Sequence, residues 1–441
     1  MDDITRRIVS RDLKVAVIGL GYVGLPLLLL LSDLGFRAVG IDKDAKKVNK
    51  LRRGDLEFLK NNPRAKSLLI KSLKKKNFGI HQDFSEISGS TFIFITVDTP
   101  IDKKNRPDQT NISKAAQNIA QFLSKGSIVI IESTVSPGTT NEVFTPTIEK
   151  YSRLKVNVDF YVSVCSERIR PNKDVFDDMK LFPRVIGVSN AQIGIILKEM
   201  YKLITKGTID ITDILTAEIV KTVENALRDV KIAFSNEIAL ICERLNADIW
   251  KVRDLVNRRT GIEDMLMPGT GVGGHCLPKD PWLLVSSVNV SKQLIIPTAR
   301  QINSKMPRYV AKIIKSRLLS LGIKAARAKV LILGYSYIEN CDDTRNSPSI
   351  ALIQQLKKIG FKKVLIHDPY AEQYNKDLYK LAHKVDCVVL VVKHDQYKNI
   401  DFSRLRKVLA QPLIIDTKNF FSRSKCEGLG LIYHSLGAPK D

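Results

Sequence analysis

Residues 13–42 read LKVAVIGLGYVGLPLLLLLSDLGFRAVGID. Leu13 to Ile18 is a short apolar run rich in β-branched residues, which predicts a buried strand. It runs straight into Gly19, Gly21 and Gly24, the spacing GxGxxG, with Tyr22 and Val23 completing the turn. A helical apolar segment follows from Leu25 to near Gly35, and Ala38 to Ile41 predicts a second strand closing on Asp42. Strand, glycine turn, helix, strand and acid together make a dinucleotide-binding unit. Gly19 makes the turn. Gly21 lets a pyrophosphate reach the helix N-terminus, where N–H groups point at it, and Gly24 lets helix pack on strand. Asp42 would accept from a ribose 2′-hydroxyl and repel a 2′-phosphate, favouring NAD over NADP, while Lys43 beside it works against that choice. The competing reading is a coincidental glycine turn; the flanks and the acid weigh against it.

The alternation continues outward. Thr91–Val97 predicts a strand ending in Asp98-Thr99-Pro100, and Ser127–Ile131 one ending in Glu132-Ser133-Thr134. Phe160–Val164 ends in Cys165-Ser166-Glu167-Arg168, and Val185–Val188 reads as the last strand of this unit. Hydroxyls and turn residues at strand ends sit where doubly wound sheets bind ligands. Glu167 in such a place is a base or a helix cap. From about Ile211 the period changes: Ala217–Asn257 has no proline or glycine and is one long helix or two. Lys221 and Asn225 share a face, four residues apart, and polar positions continue with Arg228, Asn236 and Glu237. Such a helix is either a dimer core or a surface helix with solvated polar residues.

Next comes PGTGVGGHCLPKDP, 268–281. Cys276 follows Gly271, Gly273 and Gly274, with His275 before it and Lys279 and Asp280 just after. A thiol on a glycine loop near a cation and a carboxylate suits a stabilised nucleophile, or equally a tight turn with an inert cysteine. A further helix is expected after Pro297. A second alternating unit starts at Lys329, with strands 330–334, 364–368, 385–392 and 413–415 and a helix 349–359. It lacks GxGxxG and either binds a nucleotide at its strand ends or is structural.

Composition bounds the function. Hydrophobic residues are 44% and charged residues 26% of 441, the balance of a globular chain with ample core. No run reaches the ~18 apolar residues of a membrane span. The first residues, MDDITRRIVSRDLK, carry no apolar signal core, so a cytoplasmic protein is expected, with no membrane partner. Six scattered cysteines and six dispersed histidines point to no disulfide framework and no metal site. The net charge of +24 fits attraction of anionic substrates, or nucleic acid. The densest basic run, KSLKKK (71–76), has no aromatic residue interleaved and reads as a solvated helix face, so no nucleic-acid partner is expected.

These residues resemble the nucleotide-sugar 6-dehydrogenase family, which includes the UDP-glucose, GDP-mannose and UDP-N-acetylhexosamine dehydrogenases. The landmarks are GLGYVGLP (19–26), STVSPGTT (133–140), SER (166–168), EIVKTVENALRD (218–229), GVGGHCLPKDP (271–281), DDTRNSP (342–348) and HDP (367–369). They cover nearly the whole chain. His275 before the cysteine, with the ENALRD segment, resembles the UDP-N-acetylmannosamine/UDP-N-acetylglucosamine branch; the UDP-glucose and GDP-mannose branches usually carry serine there. The resemblance implies an α/β fold of two Rossmann-like doubly wound domains joined by a long central helix. It divides the chain into an NAD domain (1–210), a central dimerisation segment with the cysteine loop (211–310) and a C-terminal UDP-sugar domain (311–441).

It also implies roles. Cys276 is the nucleophile, Lys221 and Asn225 hold an oxyanion or a water, Asp280 orients that water, Glu167 does acid–base work and Thr134 binds the water. NAD is held by Gly19, Gly21, Tyr22, Val23, Gly24, Asp42, Thr99 and Thr134. The sugar nucleotide is held by Glu167, Arg168, Lys221, Asn225, Arg228, Gly273, Gly274, His275 and Arg345, with Arg259 reaching across a homodimer. The implied reaction is a four-electron oxidation of a C6 alcohol to a uronate through a cysteine thiohemiacetal and thioester, without a metal. UDP-N-acetyl-D-mannosamine is the expected substrate. The alternatives are UDP-glucose or GDP-mannose, or a protein that binds nucleotide sugars without turning them over. Two departures stand out: Ile338 replaces the family's substrate-holding lysine, and Pro171-Asn172 replaces the proline–glycine after the acid.

Overall fold

The computed structural model describes residues 2–56, 58–59, 62–170, 172–259, 261, 264–288 and 295–439, so Pro171 lies outside the described residues. The chain forms two compact units, Met1–Glu224 with Trp282–Asn289, and Asn225–Pro281 with Val290–Asp441.

Among the described residues the first unit is built on eight strands: β1 (Lys14–Ile18), β2 (Arg37–Ile41), β3 (Phe78–His81), β4 (Phe92–Ile95), β5 (Ile128–Ile131), β6 (Tyr161–Val164), β7 (Arg184–Val188) and β8 (Ile209–Thr212). Their order is β3-β2-β1-β4-β5-β6-β7-β8. Every pair is parallel except β6 with β7, where Ser163 faces Val188 and Val164 faces Gly187. The apolar runs are continuous because both faces are covered. Val15, Val17, Phe92 and Phe94 enter one core, and Ala16, Ile18, Ile93 and Ile95 the other. The helix Gly24–Asp33 is apolar all round and buried from Gly24 to Ser32, as an all-round apolar helix must be. Val185–Val188 is not the last strand, because β8 extends the sheet by pairing with β7. Strands β3 and β8 escaped the sequence reading because they lie at the sheet's two edges and are half exposed, so neither is a fully apolar run.

The described residues of the second unit hold five parallel strands: β9 (Lys329–Leu333), β10 (Lys363–His367), β11 (Cys387–Leu390), β12 (Leu413–Asp416) and β13 (Ile432–Ser435), in the order β10-β9-β11-β12-β13. Val330, Ile332 and Val389 face one core, and Leu331, Leu333 and Val388 the other.

The segment read as one helix or two is two, Ile214–Arg244 and Ile249–Val256. The break needs neither proline nor glycine. Asn246 takes a left-handed φ of 56°, Ala247 N–H closes on Cys242 O (2.8 Å), and Asp248 caps the next helix through Trp250 N–H (2.8 Å). The helix expected after Pro297 is Ile295–Ser320, with Pro307 inside it. A proline at 307 has no N–H for the carbonyl of Asn303, and Gly271 packs there, where a Cβ would stand 3.0 Å from that oxygen. No helix among the described residues is long and apolar enough to cross a membrane.

Candidate active site

In the first unit the glycine turn has the geometry its spacing demands. Gly19 sits at φ 94°, and a Cβ on Gly24 would lie 1.9 Å from Gly19 O, so only glycine lets this helix start against the strand. Around Gly21 no atom lies within 4 Å of where a Cβ would be, and no side chain caps the first turn at Val23. An open approach to an uncapped helix N-terminus fits a pyrophosphate. Tyr22 packs on Phe58, with ring centroids 4.9 Å apart. Asp42 is buried at the end of β2. Its Oδ2 accepts from Leu20 N–H (2.8 Å) and Lys47 Nζ (2.7 Å), and its Oδ1 accepts from Asp44 N–H (3.0 Å), which leaves acceptor capacity on Oδ1 for a ribose hydroxyl. The cation on Asp42 is Lys47. Lys43 turns to Asn111 Oδ1 (2.9 Å) instead. Thr99 and Thr134 come together, the Thr99 hydroxyl donating to Thr134 O at 2.6 Å.

The loop carrying Thr134 is tied to the long helix by a residue the sequence reading passed over. Glu218 is buried and accepts from Gly138 N–H (2.6 Å), Thr140 N–H (3.0 Å) and the Thr140 hydroxyl (2.6 Å). Burial raises its carboxyl above the usual range, against those three donors. One turn further on, Lys221 is half-buried. Arg168 forms a fork with Glu224 (2.7 and 3.1 Å) and donates to Pro183 O (2.8 Å). Glu167 is buried, its Oε2 on Arg184 (2.7 Å) and its Oε1 on Arg168 N–H (2.6 Å).

In the second unit, Cys276 is exposed on its loop while the groups around it are buried. Cys276 O accepts from Lys279 N–H (3.0 Å) and Asp280 N–H (2.8 Å). The Asp280 carboxylate is fully buried, paired to Lys279 Nζ (2.7 Å) and accepting from Asn225 Nδ2 (2.6 Å). The structure thus brings Asn225 to Asp280, and directs the Lys279 charge to Asp280. Gly274 exchanges two bonds with the DDTRNSP turn: its N–H donates to Arg345 O (3.0 Å), and Asn346 Nδ2 donates to its carbonyl (3.0 Å). Gly273 and Gly274 are pressed on Pro348 and Tyr337, where Cβ atoms would lie 2.7 and 2.6 Å from side-chain atoms. The Arg345 guanidinium forks onto Asp343 (2.6 and 2.9 Å). His275 is half-buried, and Arg228 and Arg259 are exposed.

The loop's other end hangs on the long helix. Asn236 is buried; its Oδ1 accepts from Gly269 N–H (2.9 Å) and its Nδ2 donates to Asn303 (2.9 Å). Asp229 takes Arg300 (2.6 Å) and Asn303 (2.8 Å). Ile338 is half-buried, its carbonyl accepting from the Ser336 hydroxyl (3.1 Å). A cation not singled out in the sequence, Lys418, packs under Gly269 and donates to Pro268 O (3.4 Å); burial lowers it to about 8, with Glu339 opposing.

Three family models match in chain order. They are the NAD binding, central and UDP binding domains of the UDP-glucose/GDP-mannose dehydrogenase family, over residues 13–205, 215–305 and 331–423. The UDP-N-acetyl-D-mannosamine dehydrogenase of Methanococcus maripaludis is 35% identical, covering 96% of this chain and 97% of its own. The solved structure of the Pyrococcus horikoshii enzyme of that name superposes with a TM-score of 0.90 at 32% identity, covering 96% and 99%. That of the Staphylococcus aureus UDP-N-acetyl-mannosamine dehydrogenase gives 0.85 at 28%, covering 96% and 98%. The glycine turn at Gly19, the cysteine loop and the two parallel-strand sheets therefore belong to a member of the UDP-glucose/GDP-mannose dehydrogenase family, an NAD-dependent nucleotide-sugar dehydrogenase.

Proposed function

We propose that the chain oxidises the C6 alcohol of UDP-N-acetyl-D-mannosamine to the uronate through covalent intermediates on Cys276. The observation that carries this reading is the cysteine loop: an exposed thiol between a doubly fastened Gly274 and a buried Asp280 held by Asn225 and Lys279. NAD, when bound at the glycine turn, accepts one hydride in each of two oxidations. The first converts the alcohol to an aldehyde, and Glu167, or a water held by Thr134 and Asp280, takes the hydroxyl proton. The Cys276 thiolate adds to the aldehyde carbon. The oxyanion of this thiohemiacetal draws on the Lys221 ammonium and the Asn225 amide. Loss of the second hydride leaves a thioester, and water oriented by Asp280 displaces the thiolate. Overall, one alcohol, one water and two NAD become one carboxylate, two NADH and three protons. Gly273, Gly274, His275, Arg168, Arg228 and Arg345 hold the sugar nucleotide in this reading.

The named relatives support the mannosamine epimer, and His275 supports a UDP-N-acetylhexosamine. We further read the chain as three working segments, 1–210, 211–310 and 311–441, and as a homodimer through the long helix, with Arg259 donated by the partner. A cytoplasmic location is in keeping with the use of NAD and a nucleotide sugar. The test is NADH absorbance with a panel of nucleotide sugars, alongside Cys276→Ser. Two NADH per UDP-N-acetyl-D-mannosamine, lost in the variant, supports the reading. Turnover of UDP-glucose or GDP-mannose alone overturns the sugar, and NAD binding without any turnover favours a non-catalytic protein marked by Ile338.

A further inference from the structure

Around Glu167 the first unit buries four titratable side chains that the reaction above does not use. Glu132 follows β5, Cys165 and Glu167 follow β6, Arg184 opens β7, and Tyr201 lies in the helix Ala191–Lys202. All five are buried, with Arg184 only 1% exposed. Their meeting depends on the one antiparallel pair in the sheet. Because β7 runs against β6, its first residue stands beside the end of β6, where Glu167 emerges.

We propose that Arg184 and Glu132 are positioning residues for Glu167: the guanidinium fixes the Glu167 carboxylate, and Glu132 is a second carboxylate that competes for it. The proposal rests on the reading of Glu167 as the acid–base group. Arg184 Nη1 lies 2.7 Å from Glu167 Oε2 and 3.8 Å from Glu132 Oε2. Two carboxylates thus share one guanidinium away from water, and such a set holds one proton more than exposed groups do. Glu167 has two donors, Arg184 and Arg168 N–H. Glu132 has the Tyr201 hydroxyl on Oε1 (2.5 Å) and no hydrogen bond on Oε2. Burial pushes the Glu132 carboxyl up to about 8, with Arg184 opposing and Glu167 adding to the rise. Burial also raises the Cys165 thiol and the Tyr201 phenol well above their ordinary values, so neither changes charge near neutral pH.

The consequence has a direction. Below about pH 8 Glu132 is neutral and Arg184 serves Glu167 alone; above it Glu132 ionises and draws the guanidinium toward itself. Glu167 then loses its fixed orientation and kcat falls.

The experiment is kcat against pH at saturating NAD and substrate for the wild type, Glu132→Gln, Arg184→Lys, Glu167→Gln and the Arg184→Lys/Glu167→Gln double variant. The wild type is expected to lose activity above about pH 8 and Glu132→Gln to lack that limb. Arg184→Lys is expected to lower kcat about tenfold with KM for NAD unchanged, and the double variant to be no worse than Glu167→Gln, as for residues acting as a unit. The inference is overturned if the Glu132→Gln profile follows the wild type, if the wild type has no such limb, or if the double variant loses the product of the single effects. The conservative Glu132→Gln profile decides the matter by itself if Arg184→Lys does not fold. A fully active Glu167→Gln instead removes the acid–base reading, a distinct failure.

Discussion

Asn346 holds a left-handed backbone, φ 48°, and gives its side-chain amide to the Gly274 carbonyl at 3.0 Å. Asn346→Ala removes one of the two bonds that fix the loop before Cys276. A net hydrogen bond of ~1 kcal/mol corresponds to roughly a fivefold change in rate. A several-fold loss of kcat is expected, with slower and less uniform alkylation of Cys276 by iodoacetamide; unchanged kinetics would leave Gly274 N–H on Arg345 O as the sole fastening. Glu132 sets a second expectation, in stability. Its carboxyl titrates near 8 when folded against an ordinary 4.5. Between those values the unfolded chain has released the proton that the folded chain keeps, so the contribution is fully present below 4.5 and is lost as pH rises towards about 8. Glu132→Gln therefore gains Tm relative to the wild type progressively from pH 5 to 8 in thermal unfolding, and an offset independent of pH would refute this. Cys276 and Asp280 were singled out because a thiol on a glycine loop beside a carboxylate suggests a chemistry, and the family resemblance gave them roles. Arg184 and Glu218 were not, because a lone charge at a strand start or in a helix also occurs on solvated surfaces.

The glycine-turn helix leaves no room at its first residue. Gly24→Ala puts a methyl 1.9 Å from Gly19 O. Strand and helix must separate, and loss of the Tm increase produced by saturating NAD is expected, where wild-type protein gains ~2.7 kcal/mol at one hundred times Kd. The long helix presents two unlike faces. Inward, Glu218, Asp229 and Asn236 are buried and hydrogen-bonded. Outward, Leu215, Ile219, Val223, Leu227, Phe234 and Ile241 are 37–55% exposed at helical spacing. An apolar stripe of that length is costly in water and supports the proposed dimer. Phe234, 55% exposed, is the largest of them. Phe234→Asp is expected to halve the mass measured by size exclusion with light scattering, whereas an unchanged mass moves the interface off this helix. The sequence predicts a helix with polar residues along it; which of its faces is buried depends on the segments packed against it.

Across the whole molecule, +24 of formal charge acts on an anionic substrate. Steering by such a field is screened over a Debye length, ~10 Å at 0.1 M salt. The kcat/KM for the nucleotide sugar is expected to fall several-fold between low and physiological ionic strength, while kcat stays level; a flat kcat/KM would show that the excess charge is not near the site. The two sheets use one device twice. Gly19 N–H bonds Ile41 O and Gly334 N–H bonds His367 O, and an acid follows each of those strands. In the first sheet Asp42 keeps acceptor capacity. In the second, Asp368 is filled by Tyr335, Ser336, Tyr370 and Ala371 N–H and by His394; although burial opposes it, these donors hold its carboxyl well below the usual range.

What the chain determined by itself was local. The alternation of apolar runs, the glycine spacing and the cysteine loop follow from side-chain sterics and backbone freedom within a few residues, and they sufficed for the α/β class, the NAD turn and the family. Strand direction is a different kind of fact. RVIGV at 184–188 is equally apolar in either sense, and only packing distant in sequence, with β8 beyond it, turns β7 against β6. That reversal brings Arg184 to Glu132 and Glu167. Periodicity records which residues are buried, and tertiary structure alone decides which of them meet, because partners are chosen by contacts between segments far apart in the chain.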